Sequence, residues 1–125
     1  MSSLYVKIAG GVVVLILVVL YALTLIPTEN PYRTNKVFVY DALENSVVRA
    51  IVCNCRTTAE PLAWEGYIEV DGALVPHKTK SLQGKVIALS APELKAIDQY
   101  KNVPKEHQRK QVRIGKEQMW VYIKN

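Results

Sequence analysis

The pattern of hydrophobic and polar positions changes sharply at Pro27. Before it, Ile8 to Ile26 form an apolar run with no charged side chain and only Tyr21 and Thr24 as mildly polar members. The run is apolar on every face, so it lacks the one-sided stripe of a helix that packs on a core. As a helix rising about 1.5 Å per residue it would reach about 28 Å, close to the roughly 30 Å hydrocarbon core of a bilayer. The pattern therefore predicts one N-terminal transmembrane anchor within residues 1–27. A cleaved secretory signal is the competing reading, since Lys7 could act as its basic flank. Against it, Ala22-Leu23-Thr24-Leu25-Ile26-Pro27 lacks the small residues of a peptidase site. A buried core helix fits less well still, because the rest of the chain is too small to surround it.

Beyond Pro27 the periods shorten. Thr28 to Asn35 is polar and interrupted by Pro31, the composition of a linker (28–35) between anchor and domain. Lys36-Val37-Phe38-Val39-Tyr40 then opens a domain over 36–125 as a β-branched and aromatic run, which suits a central strand covered on both faces. After Asp41 to Ser46 interrupts it, Val47, Val48, Ala50 and Ile51 suit a short helix capped by Asn45 or Ser46, with a strand as the alternative because the residues are β-branched. Further strands are expected at Leu62–Val70, Ala73–Val75, Gly84–Leu89, Gln111–Ile114 and Met119–Ile123. Asp71-Gly72 joins the first two as a tight hairpin, a turn that needs φ > 0 at both central positions. Ser90-Ala91-Pro92-Glu93 starts a second helix, with a capping hydroxyl, a proline in the first turn and a carboxylate at the positive helix end. The result is an α+β domain, a small mixed β-sheet or barrel of about six strands with two short helices.

Charge and cysteine content refine the picture only slightly. The formal net charge is +5, and every charged residue except Lys7 lies beyond Pro27. Lys101, Lys105, Arg109, Lys110, Arg113, Lys116 and Lys124 crowd the C-terminal end, where Glu106 and Glu117 are the only acidic side chains. Such a face could meet anionic lipid, nucleic acid or an acidic partner, but scattered surface charge ordinarily just meets water. Nucleic acid is disfavoured, since Trp120 and Tyr122 are expected to pack in the sheet rather than to stack on bases. Cys53 and Cys55 are one residue apart, so a bond between them would close a very small ring; free thiols and a reducing compartment are expected. With His77 and His107 far away in sequence they make no zinc pattern, and neither a metal nor a cofactor is expected. Arg33 and Lys36 after the apolar run lean toward a cytoplasmic domain.

The order of the motifs resembles the gamma-glutamylcyclotransferase-like family, in particular its short avirulence-induced-gene-like branch. Val37-Phe38-Val39-Tyr40-Asp41-Ala42-Leu43 is similar to the family's Val-Phe-Val-Tyr-Gly-Ser/Thr-Leu strand and loop. Leu62-Ala63-Trp64-Glu65-Gly66-Tyr67 loosely matches a Leu-x-Gly-Tyr step, and Leu82-Gln83-Gly84-Lys85-Val86 a Val-x-Gly-x-Val strand. Leu94 to Tyr100 resembles Leu-x-x-Leu-Asp-x-Phe/Tyr, and Arg109, Val112 and Met119-Trp120-Val121-Tyr122 resemble the closing strands. Single pieces of this kind are weak, and their shared order is what carries the resemblance.

The resemblance implies release of 5-oxoproline from gamma-glutamyl compounds, with the substrate amine attacking its own side-chain carbonyl. It also implies a Glu after the Leu-Asp-x-Phe/Tyr step as general base, and loop N–H groups that hold the substrate. Here the Glu position is Lys101, a cation that would repel the substrate ammonium. The loop glycine is Asp41 and the hydroxyl position is Ala42. No catalytic residue is therefore assigned. Asp98 or Asp41 as a replacement base is a minor alternative, and His107 reads as a surface or packing residue. The sequence reading is a single-pass membrane protein whose cyclotransferase-like domain has lost its chemistry and serves binding or assembly. The bilayer and proteins of a membrane complex are its expected partners. Tyr40, Asp41, Ala42, Leu43 and Lys101 line the vestigial ligand pocket. An active gamma-glutamyl or gamma-glutamylamine cyclotransferase and a basic surface-contacting module are the alternatives.

Overall fold

The computed structural model describes residues 2–125, with side chains described for 11–23 and 26–125. Helix α1 runs over Ser2–Leu25. Among the described residues no helix is long and apolar enough to cross a membrane. The span expected at Ile8–Ile26 lies partly outside the described side chains. Those that are described, from Val12 to Leu23, stand exposed.

Strand β1 (Asn35–Val39) is the centre of the domain. It lies antiparallel to β3 (Ala73–Leu89) and parallel to β5 (Glu117–Lys124), while β2 (Ala59–Val70) pairs with β3 and β4 (His107–Ile114) with β5. The resulting five-stranded sheet has the order β2-β3-β1-β5-β4, with β2 and β4 at its edges. The expected doubly covered strand is confirmed: Val37, Phe38 and Val39 are all buried. Because successive side chains of a strand point to opposite faces, they feed two cores. Val37 and Val39 join Ile87, Leu89, Tyr122 and the helix residues Leu94 and Ile97 on one face. Phe38 joins Trp64, Leu82, Ile114, Met119 and Val121 on the other.

The short elements follow their local signals. A single 3-10 turn at Ala42–Glu44 follows β1, and helix α2 (Ser46–Cys53) starts from Asn45, whose side chain accepts from the N–H groups of Val47 and Val48. This decides the helix-or-strand alternative in favour of the helix. Helix α3 (Ala91–Tyr100) opens with a complete capping box between Ser90 and Glu93. Asp71 and Gly72 have φ of 51° and 81°, as the tight hairpin requires.

Two expectations are corrected. The strands expected at Ala73–Val75 and Gly84–Leu89 are one continuous β3, so the sheet has five strands. Polar residues between them do not break the strand, because β2 and β3 continue pairing on either side of an irregularity between Glu65 and Tyr67. Second, Cys53 and Cys55 form a disulfide. Asn54 adopts the left-handed conformation that ends α2 and brings the two Cα atoms to 5.1 Å, within the usual disulfide range, where sequence spacing alone suggests too small a ring. The free-thiol argument for a reducing compartment falls with it.

The segment between α1 and β1 is fastened to the domain. Arg33 forms a bidentate pair with Glu93, Nε to Oε1 at 2.9 Å and Nη2 to Oε2 at 2.8 Å, and its Nη1 donates to the carbonyls of Thr28 and Arg56. The Thr28 N–H also donates to the Arg56 carbonyl at 2.6 Å. Glu93 thus caps α3 and holds the incoming chain with the same carboxylate.

Gly84 marks the tightest packing. A Cβ there would lie 2.5 Å from the Val39 carbonyl oxygen and 2.6 Å from Phe38 Cζ, both rigidly placed on the central strand. Gly84→Ala is expected to lower unfolding stability by about 2 kcal/mol or more through overpacking, read from denaturant unfolding of the full chain in detergent. A loss below about 0.5 kcal/mol would show that this contact is not rigid.

Candidate functional site at the end of β1

The chain leaves β1 at Tyr40 and enters the 3-10 turn through Asp41, an acidic residue in the position that ordinarily caps a helical turn. One Asp41 oxygen, Oδ1, accepts the N–H of Leu43 at 3.0 Å. The other, Oδ2, pairs with the ammonium of Lys101 at the C-terminal end of α3. Lys101 keeps only 12% of its side chain exposed and Asp41 31%, so the pair is partly withdrawn from water. Burial lowers the Lys101 ammonium from its ordinary value.

Four of the five residues expected to line the site meet here, and Ala42 does not. Tyr40, Asp41, Leu43 and Lys101 line a common cavity with Phe38, Val39 and Tyr122, and Ala42 lies in the exposed turn beside it. The cavity measures about 10 Å³. That is roughly the space for a single water molecule. The Asp41–Lys101 pair and the fully buried Leu43 side chain form part of the cavity wall.

Behind the pair stands a polar network that the sequence did not reveal. Tyr40 Oη donates to the Tyr122 carbonyl at 2.9 Å. Tyr122 Oη donates to Asp98 Oδ1 at 2.5 Å, and Arg109 Nε lies 2.9 Å from the same oxygen. Arg109 also stacks over Trp120, its guanidinium carbon 4.3 Å from the ring centroid. Asp98, considered above as a replacement base, bridges α3 to β4 and β5. His107 bonds through Nδ1 to the Lys101 carbonyl at 2.8 Å, a packing role that fixes the end of α3. The sequence signal for the network was present only as residue types, since nothing in spacing brings Asp98, Arg109 and Tyr122 together. Among the described residues no cluster of three or more His, Cys, Asp or Glu could hold a metal.

The five-stranded sheet, the loop after its central strand and the α3 terminus facing that loop make up a mixed α+β fold. Residues 37–125 match the family described as Gamma-glutamyl cyclotransferase, AIG2-like, and the chain belongs to that family. Two solved structures from Arabidopsis thaliana are similar to it. At3g28950.1 superposes with a TM-score of 0.60 at 21% identity, covering 78% of this chain and 66% of its own. At5g39720.1 gives 0.60 at 18% identity, covering 76% of this chain and 71% of its own. At these identities the likeness concerns the fold. The chain spans just under two thirds of the length of the first of these proteins. A comparison with curated protein sequences finds no match.

The Tyr40 phenol titrates at about 12, raised from 10.0 first by burial and then by the Glu69 carboxylate. A group whose pKa is raised by folding gives its stabilisation fully below the unfolded value and loses it as pH climbs to the folded one. Stability is therefore expected to fall between about pH 10 and 12, and the fall should be shallower in Tyr40→Phe. Denaturant unfolding across that range checks it; identical slopes in the two proteins would remove Tyr40 from the alkaline transition.

Proposed function

We propose that this chain is a membrane-anchored member of the family whose domain has lost cyclotransferase chemistry and works in binding or assembly within a membrane complex. The observation that carries the reading is the Asp41–Lys101 pair. Cyclisation of a gamma-glutamyl compound needs a base to take a proton from the substrate ammonium before nitrogen attacks carbon. The position that the family resemblance assigns to that base holds a lysine, already committed to a carboxylate. The Leu43 N–H, one of the loop donors that would hold a substrate, is satisfied by Asp41 Oδ1. A cavity of about 10 Å³ leaves no room for a glutamyl group.

Membrane attachment is supported by the uncharged run Ile8–Ile26 and by the exposed apolar side chains of α1. With the disulfide at Cys53–Cys55, the lean toward a cytoplasmic domain rests on Arg33 and Lys36 alone. Because Arg33 ties the segment after α1 to Glu93, the domain would be carried close to the bilayer rather than on a loose tether.

The purified chain is expected to release no 5-oxoproline from gamma-glutamyl dipeptides or gamma-glutamylamines above background. Lys101→Glu alone should not restore release, because Asp41 would still occupy the loop and the two carboxylates would repel each other. Turnover by the unmodified chain that disappears in Lys101→Ala would overturn the reading of lost chemistry. Anchoring is tested separately: the protein should stay in the membrane pellet after an alkaline carbonate wash, and recovery in the supernatant would contradict it.

A further inference from the structure

A second cavity, of about 380 Å³, opens on the side of the domain where α1 ends and includes Pro27 in its wall. It shares none of its lining with the cavity at Asp41 and Lys101. Its lining brings together Arg49, Lys85, Ser46 and the paired threonines Thr57 and Thr58. Arg49 is unusual. It is 3% exposed, its Nη1 donates to the carbonyls of Leu43 and Glu44 at 2.8 Å each, and its Nε is buried with no partner.

Among the described residues no carboxylate pairs with Arg49. A guanidinium stays charged at any ordinary pH, so a buried one with neither a counter-ion nor a full set of acceptors carries an unbalanced cost. Lys85 adds a second cation at the same cavity. Its Nζ reaches the Glu44 carbonyl at 3.4 Å, and it too has no carboxylate partner among the described residues. The positive end of α2 also faces this cavity through Asn45 and Ser46. The one acidic side chain in the lining is Glu44, which makes no ion pair with either cation.

We propose that this cavity is a phosphate-binding site, in which the Arg49 guanidinium and the Lys85 ammonium take the phosphate oxygens and the hydroxyls of Ser46 and Thr58 complete the donor set. A guanidinium nitrogen beside an ammonium and hydroxyl donors suits an oxyanion that presents several oxygens at once. The phosphate can come from a soluble phosphate or from a lipid headgroup, since Pro27 sets the mouth beside the end of α1. The proposal does not depend on the loss of cyclotransferase chemistry or on membrane anchoring.

The test uses the full chain in a neutral detergent and two probes, inorganic phosphate and water-soluble dihexanoylphosphatidylglycerol, by titration calorimetry at constant ionic strength against a chloride control. Saturable binding of either probe is expected. Lys85→Gln should weaken it about tenfold, the effect of one charged hydrogen bond. Glu44→Gln should tighten it by removing a like charge. Lys85 is half-exposed on β3 and Glu44 sits in the surface turn, so both variants keep the core that Arg49 supports. Binding of both probes assigns the site to phosphate in general, binding of phosphate alone to a soluble ligand, and binding of the lipid alone to a headgroup. Absence of binding by both, or binding that neither substitution changes, would overturn the proposal.

Discussion

The end of β1 is organised by a carboxylate that the chain supplies to itself. Asp41 caps the turn after the central strand with one oxygen and holds the end of α3 with the other, so a single side chain closes the loop and neutralises Lys101. In a partly buried setting, removing one member of such a pair leaves the other charge uncompensated, which costs more than the pair contributes. Asp41 and Lys101 are therefore coupled to each other. A glycine in the loop would leave the lysine unpaired, and a glutamate on α3 would set two carboxylates against each other.

The rest of the domain supports that geometry. β1 can present its loop at a fixed height only because Val37 and Val39 are packed on the helix side and Phe38 on the other, with Gly84 letting β3 approach the strand closely. α3 is fixed at its start by the Ser90–Glu93 box, along its length by Leu94 and Ile97, and at its end by Asp98 and the His107 bond. Glu93 extends the same framework to the incoming chain through Arg33. The end of α1 is thereby set near α2, the Cys53–Cys55 disulfide and the cavity around Arg49.

Much of this was legible in the sequence where the signal is local. The β1 run, the Asp71-Gly72 turn, the Asn45 cap and the Ser90 box are short-range patterns with a direct physical cause, and each is present in the structure. The family resemblance singled out Tyr40 to Leu43 and Lys101, and the structure places this turn and the end of α3 side by side. What escaped was non-local or depended on backbone conformation. The length of β3 depends on its continued pairing with β2, which polarity at Lys78 to Ser81 conceals. The disulfide depends on a left-handed Asn54, a conformation that residue spacing does not encode. The pairing of Asp41 with Lys101 could be read as two unfavourable substitutions but not as one ion pair, because only the fold places the turn and the end of α3 together.

The most direct test of a self-closed site is an amide-resolved NMR titration of the chain in detergent micelles with 5-oxoproline, the ligand that the family's chemistry would produce. If Asp41 holds the Leu43 N–H and pairs with Lys101, the Ala42, Leu43 and Lys101 amide signals should stay unmoved up to millimolar ligand. In Asp41→Gly, with the loop vacated, they should begin to shift. Saturable shifts of these signals in the unmodified chain would contradict the account.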